Sequence, residues 1–478
     1  MHKRTKIIAT LGPASSDRKT IRAMIEAGAN IFRLNFSHGD ADEHRQRCRA
    51  AREVARELGA QIGILGDLQG PKIRIAGFRN GPVNLEAGAE FVLDCELDTT
   101  AGNAGTVGVT YVQLPRDCRP GQHLLLDDGR IELSVTRVDG SKILTKVVTG
   151  GTLSANKGIN LRGGGLSAPA LTDKDFRDMA LAAELDVDYL AVSFPRSAED
   201  MLKARKAADE AGCDAKLIAK VERAEAVATD EALDDIIRVS DAVMVARGDL
   251  GVEIGDAELI GVQKRMISHA RQLNRVVITA TQMMETMIEN PMPTRAEVFD
   301  VANAVLDGTD AVMLSAETAA GKYPVAVVAA MTRIIRGAEK QPYNRHSARL
   351  LDRQSERTDE AVAMAAMYTA NHMGSVKAIL SLTESGSTPL WMSRVRSGIT
   401  IYGISRNQKT LNAMCLFRGV EPMLISDELS DTQSTLDSAI ARLKAQGALH
   451  SDDLVLSSFG NVFGRGGETN TLKIICVE

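Results

Sequence analysis

Eight short apolar runs alternate with helical patterns along the first 340 residues, and this alternation constrains the fold more than any other feature. The runs are residues 6–11, 31–37, 62–68, 189–194, 216–222, 242–248, 276–281 and 311–316. The intervening segments show the 3.6-residue apolar period of amphipathic helices, as in residues 326–335. Alternating strands and helices predict a parallel sheet with right-handed crossovers, and eight units favour a closed TIM-type (β/α)8 barrel, an α/β fold.

Two stretches do not follow this alternation of strands and helices, and they define further domains. Residues 71–166 read as alternating strands with tight turns at Asp128-Gly129 and Asp139-Gly140, which predicts an inserted, β-barrel-like lid domain. A polar, Arg-rich stretch at 341–357 precedes a helix at 359–372 and strands at 378–382, 400–404, 423–426, 454–458 and 472–477. We therefore expect a catalytic barrel (1–70 and 167–340), a lid (71–166) and a C-terminal α/β regulatory domain (341–478).

Composition excludes several classes of function. A net charge of −5 gives little support to nucleic-acid binding, and no apolar run reaches the roughly 18 residues of a membrane span. The basic start, Met1-His2-Lys3-Arg4, leads into a short strand rather than a signal peptide. Six scattered cysteines without CxxC spacing indicate buried free thiols in a reducing compartment. These features predict a cytoplasmic enzyme without nucleic-acid or membrane partners.

Polar side chains collect where the predicted barrel strands end. Alternation places Arg33, Asn35 and Ser37 on one face of the second strand. The other strands end at Asp67, Ser193, Lys220 with Glu222, Arg247-Gly248-Asp249, Thr281, and Ser315 with Glu317. A single strand meets polar residues wherever it surfaces, but charges from at least four strands predict a shared site for a charged ligand and a metal.

Two carboxylates at these strand ends are suited to Mg²⁺. Glu222 and Asp249 provide hard oxygen ligands, and the sequence has no His or Cys cluster of the kind that binds zinc or iron. Gly248 permits close backbone approach to an anion at an opening helix, although a turn without a ligand remains an alternative. Lys220 and Arg33 can neutralise a migrating phosphoryl group, although a structural Lys–Glu pair is also possible. No P-loop motif occurs, so any nucleotide would contact the barrel face and the lid, with Arg74 and Lys157 in reach.

Six motifs in this chain resemble the pyruvate kinase family. They are ATLGPAS from Ala9, RLNFSHG from Arg33, GPKIR from Gly70, MVARGDLGVE from Met244, ATQMME from Ala280 and MLSAET from Met313. They occur in the family's order along essentially the whole chain. The resemblance implies phosphoryl transfer from phosphoenolpyruvate to ADP, giving pyruvate and ATP, in the last step of glycolysis.

The resemblance also implies roles for individual residues. Lys220 would stabilise the transferring phosphoryl group, Glu222 and Asp249 would hold Mg²⁺, and Arg33 would contact the phosphate. Gly248, Asp249 and Thr281 would receive the substrate's carboxylate, with Thr281 near the point of enolate protonation. The residues expected to face the nucleotide, which brings a second Mg²⁺, are Asn35, Ser37, His38, Arg74 and Lys157.

One departure from the animal-type pattern concerns potassium. This chain reads Asp67-Leu68-Gln69-Gly70-Pro71-Lys72 where many relatives have Asp-Thr-Lys-Gly-Pro-Glu and require K⁺. The variant resembles the potassium-independent branch of the family, because a lysine ammonium supplies the charge that a glutamate site must recruit as K⁺. The other residues that correspond to the family's monovalent-cation site are Asn35, Ser37, Asp67 and the Leu68 carbonyl.

A hydroxyl-rich loop in the C-terminal domain suggests an effector site. Thr383, Ser385, Gly386, Ser387 and Thr388 join a strand to a helix, a suitable arrangement for binding phosphate. Residues 461–471, including Arg465, could close over it. Similar loops bind sugar-phosphate effectors in the family, whereas simple N-capping is the alternative. Family members are usually homotetramers.

Two other functions compete with this interpretation. A barrel lyase or aldolase acting on pyruvate-like substrates also uses carboxylates and Mg²⁺, but it needs no nucleotide. A non-catalytic sugar-phosphate sensor would not need Lys220, Glu222, Asp249 and Thr281.

Overall fold

The computed structural model describes residues 3–341, 354–425, 431–460 and 468–478. Eight parallel strands form a closed barrel in the order β1-β16-β15-β14-β13-β12-β3-β2. These strands are β1 (Lys6–Leu11), β2 (Ile31–Asn35), β3 (Gly63–Asp67), β12 (Tyr189–Val192), β13 (Lys216–Val221), β14 (Ala242–Ala246), β15 (Val276–Ala280) and β16 (Ala311–Leu314). The predicted (β/α)8 barrel is therefore confirmed.

Helices follow the barrel strands. They are α1 (Arg18–Ala27), α2 (Ala41–Leu58), α4 (Asp173–Glu184), α5 (Ala198–Glu210), α6 (Asp230–Val239), α7 (Arg247–Ile254), α8 (Asp256–Gln272), α9 (Arg295–Asp307), α10 (Ala316–Ala319) and α11 (Pro324–Ala338). A side chain caps the start of α1, α2, α6 and α9. Thr294 and Glu297 form a reciprocal capping box at the start of α9. Gly28 ends α1 with φ of 117°, a conformation that a side chain would oppose. Short 3₁₀ helices occupy Ala224–Val227 and Glu285–Ile288.

The inserted segment is β-rich, as expected. Its elements are β4 (Val83–Leu85), β5 (Glu90–Asp94), β6 (Thr106–Gly108), α3 (Leu114–Asp117), β7 (His123–Leu126), β8 (Ile131–Asp139), β9 (Lys142–Thr149), β10 (Gly151–Leu153) and β11 (Ile159–Leu161). Six strands form one sheet, β11-β7-β8-β9-β5-β6, and β10 pairs with β4. The predicted turns at Asp128-Gly129 and Asp139-Gly140 close the β7–β8 and β8–β9 hairpins. The sheet encloses its own apolar core around Phe91, Leu124 and Leu133.

The C-terminal domain has a five-stranded sheet in which only the last strand is antiparallel. Its elements are α12 (Thr358–His372), β17 (Val376–Leu382), α13 (Ser387–Arg394), β18 (Thr400–Ser405), α14 (Gln408–Met414), β19 (Val420–Leu424), α15 (Thr432–Ala445), β20 (Leu454–Gly460) and β21 (Thr469–Cys476). The strand expected at 423–426 begins earlier, at Val420, because the pairing with β18 starts at Ile401. That expectation was wrong by three residues, and residue 426 lies outside the described residues.

The chain forms two compact units, and we describe each separately. The first unit contains Met1–Asp67, Ala182–Leu190 and Ile267–Glu478, and the second contains Leu68–Leu181 and Ala191–Met266. In the first unit, a buried ion pair between Arg394 and Asp310 joins α13 to the start of β16, with one Nη–Oδ distance of 3.0 Å. Removing one member of such a pair leaves an uncompensated charge in a dry interior. This pair therefore fixes the C-terminal domain to the barrel strands of its unit.

Two further findings concern the helices and the cysteines. Among the helices of the described residues, none combines the length and the apolar character that crossing a bilayer requires. All six cysteines are free thiols, but the expectation that they are buried was wrong for Cys95, which is half-buried, and for exposed Cys476. Cys476 is exposed because it ends β21, an edge strand of its sheet.

Candidate active site

In the second unit, a buried lysine–carboxylate pair stands at the carboxyl end of β13. Lys220 Nζ lies 3.0 Å from Glu222 Oε1, and the Glu222 side chain is only 4% exposed. Lys220 also donates to Ser193 Oγ at 2.7 Å. At this depth an unpaired carboxylate would carry a large desolvation cost, so the lysine and the carboxylate stabilise each other's charged form.

Backbone groups complete the surroundings of Glu222. Its second oxygen, Oε2, accepts a hydrogen bond from the Phe194 backbone N–H at 2.8 Å. Phe194 has φ of 58°, an uncommon conformation for a bulky residue, and this turn aims the N–H at the carboxylate. Ser193 Oγ in turn donates to the Leu68 carbonyl at 2.8 Å. Lys220, Ser193 and Glu222 therefore form one connected hydrogen-bonded network.

Asp249 lies in the first turn of a helix rather than at a strand end. The sixth strand, expected to run to residue 248, ends at Ala246, and α7 begins at Arg247. The strand prediction was wrong here because residues 247 and 248 belong to the first turn of α7. The helix predicted around Gly248 does begin here, at Arg247. Carboxylates are favoured in a first helical turn, where backbone N–H groups are unsatisfied.

A second lysine neutralises Asp249. Lys72 Nζ lies 2.9 Å from Asp249 Oδ1 and 3.1 Å from Oδ2, and both side chains are mostly buried. Lys72 follows the third barrel strand and precedes the lid strands, whereas Asp249 belongs to α7. The residue that distinguishes this chain from the K⁺-requiring pattern is therefore in direct contact with a predicted metal ligand.

The donor set fits a hard divalent cation. Glu222 and Asp249 provide four carboxylate oxygens, which are the hard ligands that Mg²⁺ prefers. No group of three or more His, Cys, Asp and Glu side chains placed to hold a metal occurs among the described residues. Mg²⁺ needs no such cage, because one or two carboxylates suffice when water and substrate oxygens complete the octahedron.

The two basic lid residues predicted for the nucleotide have protein partners. Lys157 Nζ pairs with Asp127 Oδ1 at 2.6 Å, and Arg74 Nη1 donates to the Asn156 carbonyl at 2.9 Å. Gly158, next to Lys157, forms a β-bridge with Arg74. The two cations therefore lie on adjacent backbone segments of the lid.

In the first unit, Arg33 is anchored at the end of β2. Its Nε lies 2.6 Å from Asp67 Oδ2, and Nη1 donates to Thr10 Oγ1 at 3.1 Å. Asp67 is fully buried and Arg33 nearly so. These contacts fix the plane of the guanidinium, and a fixed guanidinium fork is well suited to bidentate binding of phosphate.

The other nucleotide candidates lie just beyond the same strand. The second strand ends at Asn35, not at residue 37 as expected, because a turn follows in which Asn35 Oδ1 accepts from the Ser37 N–H at 3.2 Å. Ser37 therefore does not share the strand face of Arg33 and Asn35. His38 is exposed, next to that turn.

Thr281 follows β15 with strained backbone geometry. Its φ is 67° and that of Gln282 is 55°, although a β-branched residue strongly disfavours positive φ. Its hydroxyl donates to the Ala280 carbonyl at 2.6 Å. Such outliers concentrate at functional sites, where the surrounding structure enforces them.

The candidate effector loop has defined contacts in its described part. Ser387 Oγ donates to Asp359 Oδ2 at 3.1 Å, and Thr388 Oγ1 lies 2.8 Å from Thr469 Oγ1. The Gly386 N–H donates to Thr383 Oγ1 at 2.9 Å and the Ser387 N–H to Ser385 Oγ at 3.4 Å. The N-cap residue of α13 is Gly386, so neither Ser387 nor Thr388 is the cap. The N-capping alternative is therefore wrong. Arg465 and residues 461–467 of the predicted covering loop lie outside the described residues.

Comparisons with known proteins decide between the candidate functions. Residues 2–328 match the family described as pyruvate kinase, barrel domain, and residues 360–475 match pyruvate kinase, alpha/beta domain. The chain is 56% identical to pyruvate kinase II of Salmonella typhimurium over 476 residues, covering 100% of this chain and 99% of that protein. It is 55% identical to a Haemophilus influenzae pyruvate kinase, with the same coverage. A crystal structure of a pyruvate kinase from Cryptosporidium parvum matches with a TM-score of 0.92 and 31% identity, covering 100% of this chain and 96% of that chain.

The chain belongs to the pyruvate kinase family. It is a phosphotransferase that converts phosphoenolpyruvate and ADP to pyruvate and ATP, a glycolytic reaction. Pyruvate kinases generally use Mg²⁺. The lyase, aldolase and sensor interpretations are therefore set aside.

Sequence reasoning missed three residues that hold the lid's return connection in this pyruvate kinase. Arg223 Nη2 donates to the Leu166 carbonyl at 2.7 Å and Nη1 lies 3.2 Å from Glu253 Oε1. Glu225 accepts from the Gly165 N–H, and Glu253 Oε2 accepts from the Ala224 N–H at 2.8 Å. Their positions in the sequence could have indicated two of these residues. Glu253 is the last residue of the motif MVARGDLGVE, and Arg223 directly follows Glu222.

Glu253 is the titratable member of this cluster. Burial raises the pKa of its carboxyl to about 7, an effect that outweighs the opposing influence of Arg223. The folded protein therefore binds a proton that the unfolded chain releases near pH 4.5. The unfolding free energy therefore falls as the pH rises from 4.5 to 7. Above pH 7 the stabilisation that the neutral carboxyl provides is lost.

We predict that Glu253→Gln removes this pH dependence. The decrease in the unfolding free energy between pH 5 and pH 8 should shrink by about 2.5 kcal/mol, because the amide stays neutral throughout. Urea denaturation at several pH values measures this difference. Exposed Glu258, on neighbouring α8, provides the matched Glu258→Gln control, which should keep the wild-type profile. An unchanged profile in Glu253→Gln would contradict the assignment.

Proposed function

We propose that Lys220 is the principal group that stabilises the phosphoryl group during transfer, and the Lys220–Glu222 pair is the observation that carries this proposal. The pair is 3.0 Å apart, nearly buried and located at the carboxyl end of a barrel strand, where catalytic residues of this fold reside. A fixed cation in a dry site acts more strongly on developing negative charge than a cation in water. The carboxylate holds the lysine in a fixed orientation.

Glu222 and Asp249 are proposed to hold the protein-bound Mg²⁺. When bound, the ion polarises oxygens of the substrate and offsets their negative charge. Each carboxylate already has a lysine partner, so the second unit presents two neutralised acids before the ion arrives. Lys72 and Lys220 then remain beside the site as cations for the phosphate oxygens.

The remaining roles are assigned by motif and supported by local geometry. Arg33 is proposed to bind the phosphate through its fixed guanidinium, and the N-terminal backbone of α7 at Gly248 and Asp249 to receive the substrate carboxylate together with Thr281. The residues proposed for the nucleotide and its accompanying second Mg²⁺ are Asn35, Ser37, His38, Arg74 and Lys157. The proposal assigns all of these residues to one reaction.

We predict that Lys220→Met lowers kcat by about 10²–10³-fold or more, because it removes charge stabilisation that is strongest in the transition state. The KM for phosphoenolpyruvate should change much less. Steady-state kinetics coupled to pyruvate formation measure both constants. The control is Lys216→Met, which removes a half-exposed lysine from the start of the same strand, 3.8 Å from Asp241. Equal losses in the two variants would refute the assigned role.

We propose that this pyruvate kinase does not require K⁺, because Lys72 supplies the monovalent charge. The support is the contact of the Lys72 ammonium with both oxygens of Asp249. A covalently attached cation is present at full occupancy, whereas a K⁺ ion must be bound from solution. Asn35, Ser37, Asp67 and the Leu68 carbonyl, the remaining equivalents of the monovalent site, would then hold a cation only weakly.

The expected result is full activity at saturating substrates with tetramethylammonium as the only monovalent cation. Lys72→Glu should lose most of this activity and regain part of it when K⁺ is added. Lys142→Glu, which changes an exposed lid lysine paired with Asp94 at 3.7 Å, should remain independent of K⁺. A wild-type enzyme that needs K⁺ would overturn the proposal.

We further propose that the chain is a cytoplasmic homotetramer with a catalytic barrel (1–70 and 167–340), a lid (71–166) and a regulatory domain (341–478). The loop of Thr383, Ser385, Gly386, Ser387 and Thr388 is proposed to bind a sugar-phosphate effector. The Asp359 contact of Ser387 supports a preorganised loop, because it holds the hydroxyl at the helix start without using it as a cap.

For this loop we predict that Ser387→Ala raises the concentration of sugar phosphate giving half-maximal activation by roughly tenfold, the loss expected for one hydrogen bond to a charged group. Activation curves with a panel of sugar phosphates measure this shift. Ser434→Ala, in the first turn of α15 with its hydroxyl bonded to Asp431, is the control. An activation curve identical to wild type would exclude Ser387 from the effector site.

A further inference from the structure

Within the second unit, Glu253 joins the two chain segments that carry the proposed metal ligands. Its Oε2 accepts from the Ala224 N–H at 2.8 Å, and its Oε1 lies 3.2 Å from Arg223 Nη1. Both of these groups follow Glu222 directly along the chain. Glu253 itself lies on α7, the helix of Asp249. The two contacts therefore connect the segment after β13 to α7.

The position of Glu253 on α7 links these contacts to Asp249. Side chains four residues apart on a helix lie on the same face, one turn from each other, so Asp249 and Glu253 share a face of α7. Backbone hydrogen bonds fix the geometry of the turn between them. A contact that fixes Glu253 therefore also fixes Asp249 relative to the segment that follows Glu222.

The contacts of Glu253 lie in the protein interior. Glu253 is 1% exposed and Arg223 is 6% exposed. The Asn160 side chain is also buried, and its Nδ2 donates to Glu253 Oε1 at 3.4 Å. Hydrogen bonds from a guanidinium are strong where little water competes for the same atoms. The carboxyl of Glu253 with its three donors, which we call the Glu253 clamp, is therefore a rigid connection.

The Glu253 clamp also holds the return connection of the lid. The Gly163 N–H donates to the Glu253 carbonyl at 3.0 Å, and Arg223 Nη2 donates to the Leu166 carbonyl at 2.7 Å. The three glycines at 163–165 have φ between 82° and 104°. A run of glycines has little stiffness of its own, so these bonds determine where the connection lies. The metal-ligand segments and the lid connection therefore share one anchor.

We propose that Glu253 is a positioning residue, which sets the distance between Glu222 and Asp249 and hence the affinity of the protein for its divalent ion. This inference rests on the proposed assignment of these two carboxylates as the metal ligands. Glu253 acts through α7 and through the segment after β13, not on the reacting atoms. Replacing a residue that orients metal ligands typically weakens metal binding by about 10–100-fold.

Titration of the full-length protein with Mn²⁺, followed by the electron paramagnetic resonance signal of the free ion, tests the proposal. Mn²⁺ prefers the same oxygen ligands as Mg²⁺ and is observed directly. Glu253→Ala should weaken binding by about 10–100-fold, because both contacts to the segment after Glu222 are lost. Glu253→Gln keeps an oxygen acceptor for the Ala224 N–H and should weaken binding much less.

A second pair of variants changes the same contact from its other side. Arg223→Met should weaken Mn²⁺ binding by about tenfold or more. Arg223→Lys should restore part of the affinity, because an ammonium can still pair with Glu253. Thermal denaturation establishes that each variant is folded at the temperature of the titration. If Glu253→Ala is not folded, Arg223→Met takes its place in the test.

The matched control removes a buried carboxylate from another part of the second unit. Asp178 is 9% exposed and pairs with Lys174 on its own helix, α4, at 2.6 Å. Asp178→Ala should lower the thermal stability, because it leaves the lysine without this partner, and should bind Mn²⁺ as the wild type does. A change in Mn²⁺ affinity as large as that of Glu253→Ala would show that any loss of stability has this effect, and would overturn the proposal.

Kinetics separate positioning from a loss of folded enzyme. In Glu253→Ala the Mg²⁺ concentration that gives half-maximal activity should rise in parallel with the Mn²⁺ dissociation constant, and most of kcat should return at saturating Mg²⁺. A merely structural role would instead lower kcat at every Mg²⁺ concentration and leave the half-maximal concentration unchanged.

Asp249→Asn distinguishes a failure of this inference from a failure of the ligand assignment. If Asp249→Asn loses Mn²⁺ binding while Glu253→Ala and Arg223→Met bind the ion as the wild type does, the assignment stands and the positioning role is overturned. If Asp249→Asn itself binds Mn²⁺ as the wild type does, the ligand assignment is wrong, and the positioning role is wrong with it.

Discussion

An ionised carboxylate that leaves water needs a cation, and this requirement organises the functional part of this pyruvate kinase. Glu222 pairs with Lys220, Asp249 with Lys72 and Asp67 with Arg33, and each pair stands at or just after the end of a barrel strand. The barrel provides the low-dielectric surroundings of these ion pairs, and its strands hold the paired side chains in fixed positions. Without the partners the acids would protonate or the strand ends would rearrange, since a single buried charge is too costly to retain.

The pairs also prepare the second unit for its ligands. Each acid proposed as a metal ligand is already paired with a lysine that fixes its orientation, so little reorganisation would be needed on binding a divalent ion. With Mg²⁺ held by Glu222 and Asp249 as proposed, Lys220 and Lys72 would be available to the phosphate oxygens. The neighbouring cluster of Arg223 and Glu253 follows the opposite rule, because there burial outweighs pairing and favours a neutral carboxyl.

The sequence allowed the barrel to be predicted because each strand is a separate apolar run, and it pointed to Lys220, Glu222 and Asp249 because polar residues interrupt those runs at their ends. It misplaced the ends of β2 and β14, where a turn at Asn35 and a helix at Arg247 begin inside a continuous motif. It could not reveal that Lys72 contacts Asp249, since 177 positions separate them. Such contacts depend on the tertiary fold, and local sequence patterns do not specify which distant residues meet.

The backbone of Thr281 has a consequence for how this enzyme can be improved. Its left-handed conformation costs on the order of 1–3 kcal/mol, which glycine would largely recover. Substitution of Thr281 by glycine, however, would remove the hydroxyl as well as the strain. Substitution by asparagine would replace the hydroxyl with an amide. Under the role proposed for Thr281, engineering for heat resistance will find a stabilising substitution at this position that lowers turnover, so selection for stability alone would lead away from a working catalyst.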